Sequence, residues 1–372
     1  MDYRRMPIEI ESPEQLGYDK IRCNLTESSM PDMKFDALGV DFSGLTLAYT
    51  DHAGDPELRK MIATEGEGLR AEDVLATPGA AAALFIIATS MLGANDRILV
   101  AHPNYATNIE TPRAIGCGVD LLELRFEDGF SLDIDRLRSM ITPQTKLISL
   151  TTPHNPTGTA LSEEQIREAA AIAERSGCLL LVDETYRDMA FDGPAPLAAS
   201  ISPSAISVSS LSKTYGLPGI RVGWIISKNA ALMETFLAAK EQMVICGSAL
   251  DERAAVALMR RKKEFQADAL AHIKTAFGAT RDWMASQDSL EWVEPCGGVV
   301  CFPRIKPALD IDIDGFYSIL NEEYGTYVGP GHWFGMDRRH MRIGYGWPKP
   351  DELAAGLENI TRAVSRARRK ST

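Results

Sequence analysis

The sequence predicts an α/β fold: a mostly parallel sheet sandwiched by helices, joined to a smaller α+β domain. Three observations predict it. Short apolar runs alternate with helical stretches between about residues 73 and 213. Polar and reactive residues recur just past the ends of those runs, at Tyr105, Asn155, Asp183, Tyr186 and Lys213. From about residue 229 the alternation gives way to long helical stretches with a few short strands. Parallel sheets bind ligands beyond the carboxyl ends of their strands, so the five residues at that edge mark one site. The expected division is 41–250 for the large domain, with 1–40 and 251–372 forming a discontinuous small one.

Residues 1–40 read as irregular, with Cys23 to Pro31 an extended loop. Asp55 followed by Pro56 is an N-cap and first helical residue. Asp73 to Thr77 reads as a strand, Pro78-Gly79 as a turn, and Ala80 to Leu92 as an Ala-rich helix. A strand, a glycine turn and a helix start make an anion site. Strands follow at Arg97 to Ala101, Val119 to Leu124, Lys146 to Thr151, Cys178 to Val182 and Ala205 to Val208. Ser162-Glu-Glu-Gln165 reads as a capping box. Helices are expected from Ala230 to Gln242 and from Asp251 to about Met284. Short strands are expected at Leu290 to Val293, Gly298 to Phe302 and His340 to Tyr345. A helix is expected from Asp312 to Tyr324, a loop from Tyr327 to Gly335, and a closing helix from Pro350 to Ala367. The basic run Arg366 to Lys370 reads as a solvated helix end.

Composition excludes several classes. A formal net charge of -12 argues against a nucleic-acid partner. The longest apolar stretch, Ala80 to Leu92, is too short for a membrane span. No apolar segment follows Met1-Asp-Tyr-Arg-Arg, so no secretory signal is expected. The six cysteines show neither CxxC nor metal-ligand spacing. No metal site is expected, and reduced thiols in a cytoplasmic protein are.

One stretch organises the chemistry: Ser210-Leu-Ser-Lys213, followed eight residues later by Arg221. It follows a buried strand and lies in turn-forming sequence. Such a turn offers an amine to a carbonyl, while hydroxyls and a guanidinium gather round a phosphate. Pyridoxal 5'-phosphate (PLP) needs both.

The motifs together resemble the class I/II aminotransferases, the aspartate-aminotransferase-like group of fold-type I PLP enzymes. They are Tyr49 with Gly54 and Leu58-Arg59, Gly79, Asn155-Pro-Thr-Gly158, Asp183 with Tyr186, Lys213, Arg221 and Arg342. The resemblance runs from about Asn24 to the closing helix. It implies that Lys213 binds the cofactor aldehyde and moves the substrate Cα proton. It implies that Asp183 faces the pyridine nitrogen, and that Asn155 and Tyr186 donate to the cofactor's phenolic oxygen. Tyr105 would stack on the ring. Gly79, Ala80 and Ala81 would offer N–H groups to the phosphate, with Ser210, Ser212 and Arg221. Arg342 would hold the substrate α-carboxylate with Asn155 nearby. Tyr49 would reach the phosphate of a second subunit, making the active unit a homodimer with shared sites.

Two departures from the pattern carry information. Pro78-Gly-Ala-Ala81 lacks the hydroxyl residue that many relatives place beside the phosphate glycine. Thr26-Glu-Ser-Ser29 replaces a common glycine near the substrate. Glu27, with Ser28 beside it, is therefore a candidate for a cationic, arginine-like side chain. His52, three residues past Tyr49, is a second candidate, and Trp333 a candidate pocket wall. The resemblance implies amino transfer from an L-amino acid to a 2-oxo acid. The same residues also suit elimination, replacement or cyclisation on an arginine-derived amino acid. Retention of Lys213 argues against a non-catalytic binding module.

Overall fold

Side chains on the central strands alternate between two separate apolar cores. The computed structural model describes residues 1–369. On Arg97–His102, Ile98 and Val100 face one core, while Leu99 and Ala101 face the other. Ile206 and Val208 join the first core with Ile86 and Ile87 of the helix Gly79–Met91 and with Phe236. Leu180 and Val182 join the second with Ile166 and Ala170 of the helix Glu163–Ser176. Burial on both faces explains why these strands read as continuous apolar runs. Each fully buried Leu, Ile or Val contributes roughly 1.5–3 kcal/mol.

The strands, in chain order, are β1 (Cys23–Leu25), β2 (Val74–Thr77), β3 (Arg97–His102), β4 (Gly118–Glu123), β5 (Thr145–Thr151), β6 (Leu179–Asp183) and β7 (Ala205–Ser210). They continue with β8 (Gly223–Ile226), β9 (Leu290–Glu291), β10 (Val300–Cys301), β11 (Arg304–Ile305), β12 (Thr326–Pro330) and β13 (Met341–Gly344). The large sheet runs β2-β8-β7-β6-β5-β3-β4, and only β8 runs opposite to the other strands. The remaining six strands point the same way, so Thr77, His102, Thr151, Asp183 and Ser210 end at one edge. A second sheet runs β1-β12-β13-β10, and β9 pairs with β11.

Caps fall where the sequence places them. The Asp55 carboxylate accepts from the Glu57 and Leu58 N–H groups. Ser162 and Gln165 close a reciprocal capping box.

The structure corrects five expectations. β8 was not expected, because it is four residues long and overlaps the turn-forming stretch that holds Lys213 and Arg221. Cys23 to Leu25 is a strand rather than a loop, because it pairs in parallel with β12. Thr326–Pro330 is likewise a strand within an expected loop, with Val328 buried in the small core. The helix expected from Asp251 is two helices, Ala249–Arg260 and Lys262–Ala285. Arg261 separates them at φ -113, ψ 15, held by Glu264 and by the Ala37 carbonyl 3.0 Å away. The first of the two, expected in the small domain, packs Ala255 and Leu258 against Leu58 and Trp224. Ile273 of the second packs with Leu25, Val300, Ile343 and Ile360. The closing helix ends at Arg366, which pairs with Glu323. Lys370, the last residue of the basic run, lies outside the described residues.

Candidate active site

The carboxyl edge of the large sheet opens into a cavity of about 700 Å³. Lys213, Asp183, Tyr186, Asn155, Tyr105, Ser210, Ser212, Arg221 and Arg342 all line it. So do Ala80, Ala81, Glu27, Ser28 and Trp333. Residues that lie far apart in the chain meet because parallel strands deliver their ends to one place.

Lys213 follows β7 and is half-buried. Burial lowers its pKa, as does Arg342, while Glu27 raises it. Asp183 closes β6 and is buried. Its Oδ1 accepts from the Thr185 N–H at 3.0 Å and hydroxyl at 2.6 Å. Burial raises its pKa, and the Thr185 bonds oppose the rise. The Tyr186 phenol is pushed up to about 12, mainly by burial, with the Ser28 hydroxyl and Arg342 pulling the other way. Burial also raises the Tyr105 pKa.

Arg342 comes from β13 and reaches across to the large sheet. Its Nη1 donates to Asn155 Oδ1 at 3.0 Å and its Nη2 to the Thr26 carbonyl at 2.6 Å. Nε has no partner, and the guanidinium carbon sits 5.0 Å from the Phe334 ring centroid. A buried guanidinium with a spare donor suits a carboxylate ligand.

The N-terminal segment roofs the cavity, which its irregular sequence does not foreshadow. Arg5, Glu9 and Glu14 line it from above. Glu11 fastens the segment to His332 Nε2 at 2.9 Å and to Trp333 Nε1 at 2.7 Å. Glu27 accepts from the Tyr18 hydroxyl at 3.3 Å and from Asn24 at 3.4 Å. Its pKa is raised by burial first and then by Glu14, while Lys213 lowers it. Glu14 was missed because its segment has no periodicity that ties it to a site. Thr185 was missed too, although a hydroxyl two residues past an Asp is a readable turn signal.

Two candidates lie elsewhere. His52 is not at this cavity: its Nδ1 pairs with Glu241 Oε1 at 2.6 Å, and its carbonyl accepts from Lys240 at 2.6 Å. Tyr49 is 80% exposed and does not line the cavity of its own chain.

The sheet order and the lysine at its carboxyl edge define the class of protein, a fold-type I PLP-dependent enzyme. The family profile described as aminotransferase class I and II matches residues 37–360. The chain belongs to that family. It is 30% identical over 328 residues to capreomycidine synthase of Streptomyces vinaceus, covering 86% of this chain and 82% of the relative. It is 29% identical over 337 residues to the arginine–pyruvate transaminase AruH of Pseudomonas aeruginosa, covering 86% and 81%. Among solved structures, a PLP-dependent aminotransferase from Streptococcus suis superposes with a TM-score of 0.91 at 25% identity, covering 100% of both chains. The PLP-dependent cyclase OrfR superposes with a TM-score of 0.88 at 26% identity, covering 98% of both.

The residues present fit PLP. Gly79 adopts φ +82, and a Cβ there would lie 2.5 Å from Arg221 Nη2, so the helix start and the guanidinium share one cradle. Gly223 of β8 lets that turn approach: a Cβ there would lie 2.7 Å from the Ala80 nitrogen. Arg221 itself is held at φ 46, a left-handed conformation that a non-glycine residue adopts at a cost of order 1–3 kcal/mol. The Thr77 hydroxyl is engaged by the Gly79 carbonyl at 3.0 Å. A cofactor phosphate there would therefore meet backbone N–H groups, Ser210, Ser212 and Arg221. Both Thr185 bonds go to Asp183 Oδ1, which leaves Oδ2 for a protonated pyridine nitrogen.

Proposed function

We propose that this enzyme moves the amino group of a cationic, arginine-like L-amino acid to a 2-oxo acid. The observation that carries the reading is Glu27, a carboxylate in the cavity shared by Lys213 and Arg342. The likeness to an arginine–pyruvate transaminase supports it. Glu14 adds a second negative charge at the same wall.

In this reading the lining residues divide the work, and Asn155 serves both substrate and cofactor. Arg342 binds the substrate α-carboxylate and Asn155 fixes the guanidinium. When bound, PLP supplies an electron-poor ring that draws charge from the substrate Cα. Asp183 holds a proton on the pyridine nitrogen. Tyr186 and Asn155 would donate to the cofactor's phenolic oxygen, and Tyr105 would pack on its ring. Lys213, its basicity lowered by burial, takes and returns the Cα proton. Trp333 and the N-terminal segment exclude water. Glu27 accepts the cationic end of the substrate.

We infer a cytoplasmic homodimer. Leu47, Tyr49, Met243, Val244, Ile245 and Leu250 are exposed apolar residues. The Thr50 hydroxyl joins their two segments through the Gly247 carbonyl at 3.2 Å. A patch of this kind suits a second copy, which would bring Tyr49 to the neighbouring phosphate site. Among the described residues no helix is long and apolar enough to cross a membrane. All six cysteines are free.

A second reading keeps the pocket and changes the reaction to cyclisation of an arginine-derived amino acid. The likeness to a synthase and to a solved cyclase favours it.

The test is a rate comparison across basic, neutral and acidic amino acids, with and without pyruvate, for the wild type and Glu27→Gln. The expected loss in kcat/KM is roughly 10- to 100-fold for basic substrates and much smaller for neutral ones. Equal loss for every substrate would refute the role of Glu27.

A further inference from the structure

We propose that Tyr215 is a positioning residue that fixes the Lys213 loop, through Asp188 and Lys262, to the start of the helix Lys262–Ala285. Tyr215 lies two residues past Lys213, and Asp188 two residues past Tyr186. The Tyr215 hydroxyl donates to Asp188 Oδ2 at 2.8 Å. Lys262 Nζ approaches the same oxygen at 3.0 Å and Glu65 Oε2 at 2.5 Å. Arg187 stands 3.7 Å from Asp188 Oδ1, which balances two cations against two carboxylates. Gln266, one turn further along the helix, donates to the Asp188 carbonyl at 3.1 Å. One aspartate thus joins the lysine loop, the turn after Tyr186 and a helix whose Ile273 belongs to the small core.

The cluster is poorly designed for stability alone. Tyr215 is only 4% exposed, and the Lys262 and Asp188 side chains are 12% and 17% exposed. Desolvating such ions offsets most of their attraction, and apolar residues of like volume serve stability as well. A polar network does specify one geometry, and here that geometry sets the loop of Lys213. The Tyr215 phenol is held far above its ordinary pKa by burial and by Asp188, so it is a permanent donor. The other flank of the loop is held by backbone. The Met30 N–H donates to the Lys213 carbonyl at 2.9 Å, and the Met33 N–H to the Gly216 carbonyl at 2.8 Å. That strap continues from Glu27 and Ser28 at the cavity wall. Lys213 is therefore held between two supports, both anchored outside the large sheet.

The inference rests on the reading of Lys213 as the residue that binds PLP. Lys213→Ala tests that reading separately, through loss of the visible cofactor band. The experiment for the network is a double-mutant cycle on the PLP-loaded enzyme, using Tyr215→Phe, Lys262→Met and the pair. It reads kcat, KM, the visible circular dichroism of the bound cofactor and thermal unfolding. Each single variant is expected to lower kcat roughly 10-fold with KM within about 2-fold, because small displacements of a reacting group cost rate. Each is expected to change the visible dichroism. The pair is expected to lose little more than the worse single variant, because both act through Asp188. Lys262→Arg, which keeps the charge, is expected to recover most of the loss. Additive losses, or lowered melting with unchanged kcat and dichroism, would overturn the proposal. Should Tyr215→Phe fail to fold, the contrast between Lys262→Met and Lys262→Arg reads the same quantities and decides in the same way.

Discussion

Arg342 and Asn155 join the two sheets at the cavity: a guanidinium from β13 donates to an amide oxygen just past β5, 3.0 Å away. The pair orients the group assigned to the substrate carboxylate and occupies one of its donors. Arg342→Lys keeps the charge and removes the planar fork. The expected result is a loss of roughly 10- to 100-fold in kcat/KM for all amino acids, seen mainly in KM. Asn155→Ala leaves Nη1 unpaired beside an already unpaired Nε, and the same direction is expected. Steady-state kinetics over several amino acids checks both.

Gly79 tests the phosphate cradle. Alanine there meets an unfavourable φ of +82 and a clash with Arg221 Nη2 at 2.5 Å. Gly79→Ala is expected to weaken PLP binding by 10-fold or more, about 1.4 kcal/mol, because turn strain and displacement of the guanidinium act together. Equilibrium titration of the apoenzyme with PLP measures it. Binding within about 2-fold of wild type would remove Gly79 from the cradle.

Glu184 gives a pH dependence with a definite sign. Its carboxyl is pushed up to about 7, chiefly by burial, against hydrogen bonds from Ser207 and the Ala198 N–H. Its Oε2 has no partner. Between the ordinary carboxylate range and about 7, the folded chain keeps a proton that the unfolded chain has lost. Its contribution to stability is therefore full at low pH and declines as pH rises through that window. Glu184→Gln mimics the protonated group and is expected to flatten the decline, with a gain of about 1–3 kcal/mol above neutral pH. Denaturant unfolding of both proteins from pH 5 to 8 checks it. Parallel pH profiles would count against a protonated Glu184.

Much of the site was legible because strand ends are legible. Tyr105, Asn155, Asp183 and Lys213 each follow an apolar run, and in a parallel sheet such positions converge. Arg342 was legible only by resemblance, since nothing local to β13 says that it crosses to Asn155. Glu14 was not legible, because an irregular segment encodes no direction and its place over the cavity depends on the Glu11 contacts to His332 and Trp333. His52 does not line the cavity of its own chain, because nearness to Tyr49 in sequence says nothing of Glu241, which arrives on another helix. The break at Arg261 escaped notice because nothing local marks it, and one partner that holds Arg261, the Ala37 carbonyl, is more than two hundred residues away. β8 was hidden by its length, and its antiparallel pairing on both sides is a tertiary fact.

In the proposed function, amino transfer from a cationic amino acid runs through Lys213. The most direct measurement supplies the PLP-loaded enzyme with arginine labelled with nitrogen-15 at the α-amino group, together with pyruvate. Mass spectrometry then follows the label. The expected result is labelled alanine, formed by the wild type and absent with Lys213→Ala. Arginine consumed without labelled alanine would contradict amino transfer and favour cyclisation. Arginine left untouched, while a neutral or acidic amino acid donates its nitrogen, would contradict the role given to Glu27.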